Sequence, residues 1–326
     1  MKFSVIIPAR NAANTIGDTL WALRRQTIPA GEIEIIVVDD GSTDATAAVA
    51  KALGARVLTQ SHAGPAAARN AGARAASGAL LLFTDADCVP APDWVTKLTA
   101  PLADPDIAGA KGVYTTDQRA AVARLVQIEY EEKYARLAAR RDIDFIDTYS
   151  AVYRRDIFLA AGGFDESFRA ASVEDQEFSF RLVQAGYRLH FAPGARVAHR
   201  HVETLPAYAR RKYRYGYWKA LLLRRHPGRI AGDSHTPRTQ LVHMAWLLGL
   251  IPATVGALAL RRHARTLLVI YGLAGAGSAA PFLVRVTRRA PELLPLAPVF
   301  LATRALALDL GLSAGGLAAA RRRIII

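Results

Sequence analysis

Two carboxylates one residue apart, Asp85 and Asp87, follow the apolar run Leu80-Leu81-Leu82-Phe83. Such a run, bounded upstream by Gly78, predicts a strand buried on both faces. Buried parallel strands present functional side chains at their carboxyl ends, where ligands bind. Two carboxylates there repel each other unless a cation lies between them. A divalent cation bridging to phosphate oxygens would satisfy both; an ordinary polar turn would also carry Asp-x-Asp. Asp40 sits in a second such turn, Asp39-Asp40-Gly41-Ser42-Thr43-Asp44, after Glu34-Ile35-Ile36-Val37-Val38. It is suited to hydrogen-bond a ribose or base, or equally to cap the following helix. Arg69 lies on the first turns of an alanine-rich helix begun by Gly64-Pro65, and could face a diphosphate or solvent. Glu174 and Asp175 open a helix carrying Phe178, Phe180, Leu182 and Val183, where acids suit the helix dipole.

The elements that position these residues read as a mostly parallel α/β sheet. Strands are predicted at 3–8, 34–38, 56–58, 80–83, 107–114, 145–153, 187–191 and 196–199. A helix carrying Ile16, Leu20 and Leu23 joins the first two strands in a βαβ unit with a right-handed crossover. Further helices are predicted at 90–102, 120–140 (amphipathic, with internal Glu/Lys pairing) and after Ser172. Gly162-Gly163-Phe164-Asp165-Glu166 reads as a tight glycine turn. The first strand starts at once at Lys2, so no signal peptide is read and the first half is expected in the cytoplasm. The lone Cys88 excludes internal disulfides and cysteine-rich zinc sites.

The second half differs in kind. Residues 1–200 hold 23 Lys/Arg and 24 Asp/Glu, whereas residues 201–326 hold 19 and 4, a net of +15. High basicity can indicate nucleic acid, but this basic half is also apolar, so membrane contact is expected and nucleic-acid binding is not. The stretch 208–225 mixes Tyr, Trp218 and Arg211, Arg214 in the manner of a helix lying at headgroup depth. Uncharged runs at 241–260 and 266–284 are long enough to span a bilayer. A third run at 293–320, which would make three spans rather than two, contains Arg304 and Asp309; these mark a functional site or pair with each other, or the segment is interfacial. The predicted division is a catalytic domain at 1–204, an interfacial segment at 205–238 and a membrane domain at 239–326.

Four pieces in order resemble the family 2 glycosyltransferases with the GT-A fold: Ser4-Val5-Ile6-Ile7-Pro8-Ala9-Arg10-Asn11, Val37-Val38-Asp39-Asp40-Gly41-Ser42-Thr43-Asp44, Ala68-Arg69-Asn70-Ala71-Gly72 and Thr84-Asp85-Ala86-Asp87. The resemblance covers roughly residues 3–200. It implies a nucleotide-diphosphate sugar at the strand ends, with base or ribose near Pro8, Arg10 and Asp40. The diphosphate would be held through Mn2+ or Mg2+ at Asp85 and Asp87. It implies Asp175, of the Glu174-Asp175 pair, as catalytic base in an inverting transfer. It implies His199 as a third metal ligand, with His201 next door as the alternative. It also implies Gly163 beside the donor sugar and acceptor. The Gln-x-x-Arg-Trp motif of processive synthases is absent from 213–218, which favours single transfer. The expectation is therefore an inner-membrane, multi-pass enzyme of the cell envelope with its catalytic domain on the cytoplasmic face. Its acceptor would be a polyprenyl phosphate, a lipid-linked saccharide or a glycolipid. The alternatives are a polysaccharide synthase subunit and a non-catalytic nucleotide-sugar-binding membrane protein.

Overall fold

The computed structural model describes residues 2–168, 173–229, 234, 236, 238–249 and 264–322. The chain forms two compact units, Met1–Asp117 with Tyr134–Arg200, and Gln118–Lys133 with His201–Ile326.

The first unit is built on an eight-stranded sheet. Its strands are β1 (Phe3–Ala9), β2 (Ile33–Asp40), β3 (Arg56–Gln60), β4 (Leu80–Phe83), β5 (Cys88–Pro90), β6 (Ile107–Thr115), β7 (Ala151–Arg154) and β8 (Arg188–His199). The order across the sheet is β3-β2-β1-β4-β7-β6-β8-β5. The sheet is mostly parallel, as expected, but mixed: six of its eight strands run the same way, β6 and β8 among them. β3, β2, β1 and β4 run parallel, but β7 is antiparallel to β4 and β6, and β5 is antiparallel to β8. The reversal has a consequence for the site. Phe83 pairs with Ala151, so the chain enters β7 from the carboxyl end of β4.

Three local expectations change. The predicted strand at 145–153 is strand only from Ala151, because Thr148–Ser150 forms a 3-10 turn. The two predicted closing strands are one, β8, whose pairing with β6 shifts register between Lys111 and Val113. Residues 88–90, predicted to lead into a helix, form the short strand β5.

The helices of this unit are α1 (Ile16–Arg24), α2 (Thr46–Ala52), α3 (Pro65–Ala75) and α4 (Trp94–Thr99), then part of α5 (Ala121–Ala138), α6 (Arg155–Ala160) and α7 (Glu174–Gln184). Gly72 lets α3 lie close on Ile6 and Val38, because a Cβ there would strike their side chains. Phe83, Tyr153, Phe158, Phe164 and Phe178 form a buried aromatic nest with edge-on and tilted ring contacts. It fixes the end of β4, the glycine turn and α7 against one another.

The second unit contains α8 (Leu205–Arg225), α9 (Arg238–Leu248), α10 (Ala264–Arg289), α11 (Ala297–Arg322) and residues 121–133 of α5. Thr204 caps α8 by accepting a hydrogen bond from the Ala207 amide at 3.4 Å. Val122, Leu125, Tyr208, Phe282, Val286, Phe300 and Leu301 pack as its core. Among the described residues one helix, Ala297–Arg321, is long and apolar enough to cross a membrane, with 50% of its apolar window buried in the protein. The predicted span 266–284 falls inside α10, whereas part of 241–260 lies outside the described residues. Arg304 reaches Glu129, 3.7 Å from its carboxylate.

Candidate active site

The site residues of the first unit collect at the carboxyl edge of β1, β2 and β4. Arg69, on the second turn of α3, is buried with 3% exposure. Its Nη2 donates to Asp85 Oδ1 at 2.8 Å and its Nη1 to Glu174 Oε1 at 2.9 Å. Both terminal nitrogens bind carboxylates of the protein. A planar guanidinium can span two carboxylates in this way because its donors project in a fixed fork. Arg69 thereby ties the turn after β4 to the start of α7, across 105 residues of sequence.

Asp175 follows Glu174 at the start of α7. Its Oδ1 accepts from the Gln176 amide at 2.8 Å and its Oδ2 from the Thr148 amide at 3.4 Å. Burial, and then the neighbouring Glu174 charge, push its carboxyl up to about 7, against the pull of Arg69 and the two amides. A carboxylate titrating near neutrality is poised to take a proton.

On the metal side, ligand atoms of Asp85, Asp87 and Cys88 lie within 4.8 Å of one another. The Cys88 thiol is fully buried, and burial with the Asp85 and Asp87 charges pushes its pKa well up. A buried thiol is a soft donor beside two hard carboxylates. The two carboxylates offer hard oxygen donors, which suit Mg2+ or Mn2+. His199 joins them because Cys88 pairs with His199 in β5–β8. That register places His199 Nε2 3.6 Å from Asp87 Oδ2. Burial would raise the Asp87 carboxyl, but its bond with His199 outweighs that and holds it low. His201 belongs to the second unit, where its Nε2 lies 2.9 Å from Gln127 Oε1. Oxygen ligands with one imidazole therefore fit a divalent cation at Asp85, Asp87 and His199.

Asp40 is 4% exposed and saturated. Its Oδ1 accepts from Gln60 Nε2 and the Ala63 amide, both at 2.8 Å. Its Oδ2 accepts from the Gly64 amide at 2.9 Å and lies 2.8 Å from His62 Nδ1. Burial alone would raise its pKa, but these four partners hold it below the usual range. Asp40 thus shapes the 60–64 loop that delivers α3. Its neighbour Arg10 donates from Nη1 to His62 Nε2 at 3.2 Å. Pro8 pairs with Val38 beside that edge.

Gly163 adopts a φ of +67°, the left-handed region where glycine is favoured, and a Cβ there would strike Asn70. Asn70 holds the turn by donating to Phe164 O at 2.8 Å and accepting from the Phe164 amide at 2.9 Å. Asn70 was not singled out as a site residue, although the signal was present, since it follows Arg69 in Arg-Asn-Ala-Gly. His62 and the Thr148 amide were missed as well. The second unit carries Arg211, which donates to Tyr130 Oη at 3.0 Å, together with an exposed Arg214 and a half-buried Trp218 on α8.

A sheet of this topology with acidic clusters at its ligand edge defines an α/β nucleotide-sugar fold of the GT-A type, and comparison with known proteins agrees. The mannosyltransferase PcManGT from Pyrobaculum calidifontis, solved in complex with GDP-Man and Mn2+, superposes with a TM-score of 0.57 at 20% identity. The match covers 99% of this chain and 87% of that one. Residues 4–160 match the family model for glycosyl transferase family 2, and that segment of the chain belongs to the family. It is 31% identical over 266 residues to the pre-mycofactocin glycosyltransferase of Mycobacterium tuberculosis, covering 78% of this chain and 54% of the relative. Identity to glycosyltransferase AglE of Haloferax volcanii is 29% over 197 residues, covering 58% and 64%. The chain spans about half the length of the first of these relatives and under two thirds of the second.

Proposed function

We propose that this chain is an inverting, metal-dependent glycosyltransferase that moves a sugar from a nucleotide-diphosphate sugar to an acceptor held at a membrane. The observation that carries the reading is the Arg69 brace, which sets Asp85 and the Glu174-Asp175 pair at one sheet edge. Asp85, Asp87 and His199 would hold a divalent cation, which would supply positive charge against the diphosphate leaving group. Arg69 and Glu174 keep the metal-side turn and the base in register. Pro8, Arg10 and the Asp40-built loop bound the nucleoside. Gly163 leaves room beside the sugar, with its turn pinned by Asn70.

Asp175 acts on the acceptor. With a hydroxyl acceptor it takes the proton while that oxygen forms its bond to C1. The C1–diphosphate bond breaks on the opposite face, so the anomeric configuration inverts. A phosphate acceptor arrives anionic, and Asp175 then positions it without removing a proton.

The membrane part rests on the second unit. On α11, Val299, Leu306, Leu310 and Leu317 are exposed by 51–64% at spacings of 7, 4 and 7, which put them on one helical face. With α8 as an interfacial helix and two or three apolar runs of this half of the sequence as spans, the chain is a multi-pass inner-membrane protein. Its catalytic face is cytoplasmic and its acceptor is a polyprenyl phosphate, a lipid-linked saccharide or a glycolipid.

The test is donor consumption by lipid-reconstituted protein given UDP-, GDP- and dTDP-sugars, with Mn2+ or Mg2+, with and without polyprenyl phosphate. One donor should be consumed with metal and lipid, and Asp87→Ala should lose at least about 10³-fold. Tight nucleotide binding without turnover of any donor would make the chain a nucleotide-sugar sensor instead.

A further inference from the structure

Lys111, in the middle of β6, is fully buried, and no step proposed above uses it. Its ammonium is ion-paired with Asp147 Oδ2 and ringed by aromatic faces, 5.3 Å from the Phe145 centroid, 5.7 Å from Tyr149 and 5.9 Å from Tyr134. Burying a charge pair is weak evidence for stability, because an apolar pair of similar volume usually serves as well. What the charge does is therefore better sought in what it holds.

Asp147 immediately precedes Thr148, whose amide reaches Asp175 Oδ2. The rest of this ledge is fixed from three other sides. Thr84, just before the metal-side turn, donates to Tyr149 O at 2.9 Å, Tyr134 and Tyr149 hydroxyls lie 2.8 Å apart, and Trp94 donates to Ser150 Oγ at 2.8 Å. Tyr149 also stacks on Tyr114, which lies 4.5 Å from His199. Ile146 donates to Ser179 Oγ, which in turn donates to Asp175 O. The ledge is thus a crosspiece between the base and the metal-side residues, and the charged tether sits next to the amide that touches the base.

We propose that the buried Lys111–Asp147 pair is a positioning device for Asp175, holding the Thr148 amide against its carboxylate. The inference rests on the reading of Asp175 as the catalytic base. Charges facing Asp175 from elsewhere are Glu174 on its own helix and Arg69 on α3, with the Tyr153 hydroxyl on β7; the pair leaves all three in place.

The experiment compares wild type, Lys111→Met, Lys111→Met/Asp147→Asn and Asp175→Asn in lipid, using whichever donor of the UDP-, GDP- and dTDP-sugar panel is consumed. Turnover is read against pH, UDP–Mn2+ and GDP–Mn2+ binding by calorimetry, and folding by thermal unfolding. Lys111→Met should lower kcat on the order of 10- to 100-fold with nucleotide binding within about twofold. Its acid limb should move to higher pH, since losing an amide donor raises a carboxyl pKa. The double variant should regain Tm but not kcat. Recovery of both in the double variant, or loss of kcat, binding and Tm together, makes the pair purely structural and overturns the proposal. If Asp175→Asn stays active, the base reading fails first and takes this proposal with it. If Asp175→Asn is dead and Lys111→Met is as active as wild type, the positioning role alone fails.

Discussion

The two units handle charge and apolar surface in different ways. In the first, three large apolar side chains among the described residues are substantially exposed, Trp21, Val89 and Tyr187, whereas in the second there are eleven. The first unit keeps its charges at a ligand edge, where Arg69 is shared between Asp85 and Glu174. The second buries charge within a helical core. There Glu129 accepts from Lys212 at 2.7 Å and Tyr208 at 2.8 Å and faces Arg304. Both units pair charge that they bury, Lys111 with Asp147 in the first and Glu129 with Lys212 in the second. They differ in what stands beside the buried carboxylate: Asp175 of the first lies next to a second acid, Glu174, and is a candidate reactant, whereas Glu129 of the second is a counter-ion to two cations.

That contrast is sharpest for Asp175 and Glu129, and replacing each by its amide should separate the roles. Asp175→Asn should cost about 10²- to 10⁴-fold in turnover of a hydroxyl acceptor, with donor binding kept. In wild type the rate should fall as pH drops through about 7, where Asp175 takes up its proton. Stability should move the other way. A carboxyl whose folded pKa is raised binds its proton more tightly when folded, so it penalises folding increasingly from about pH 4 up to 7. Asp175→Asn should therefore raise Tm at pH 8 and leave it unchanged at pH 4. A lowered Tm at pH 8 would make Asp175 a structural group like Glu129.

Glu129→Gln should do the reverse, sparing donor chemistry and harming the fold. Burial would raise the Glu129 carboxyl, yet Lys212 and Arg304 hold it down at about 2. Its contribution is present above the unfolded carboxyl value near 4 and is lost as pH falls toward 2. Removing the charge strands Lys212 and Arg304, at a cost of about 3–5 kcal/mol. Thermal unfolding in detergent should show a large loss at pH 7 that narrows below pH 4. A variant as stable as wild type would mean that the cluster is wetter than its burial indicates.

Sequence reading reached these roles unevenly, for physical reasons. The strands β1, β2 and β4 announce themselves as β-branched or leucine runs, and those of β2 and β4 lead into carboxylates, so Asp40, Asp85 and Asp87 were legible as edge residues. The partners of Arg69 were not, because a guanidinium aimed at phosphate and one aimed at Glu174 look alike until the chain folds. That the 60–64 loop fills Asp40 was not legible, because backbone donors such as the Ala63 and Gly64 amides leave no residue-type signature. The antiparallel turn into β7 was hidden by its brevity, and with it the ledge at Thr148. Lys111 inside an apolar strand drew no reading at all. Its meaning depends on Asp147, 36 residues on, which no local pattern connects to it.

The smallest expected effect probes the apolar side of the comparison. Val299, Leu306, Leu310 and Leu317 stretch over 18 residues of α11, about 27 Å at 1.5 Å per residue, close to the roughly 30 Å of a bilayer core. One face of the same helix is buried, where Arg304 and Asp309 lie, so the outward leucines do not hold the unit together. Leu306→Gln with Leu310→Gln should therefore weaken flotation with anionic liposomes on the order of tenfold, from lost apolar transfer. Hydrolysis of a water-soluble donor and thermal unfolding in detergent should stay unchanged. If flotation is untouched while the detergent-solubilised protein loses a cooperative transition, the stripe is an internal packing face of this chain. The second unit would then obey the same apolar-inside rule as the first.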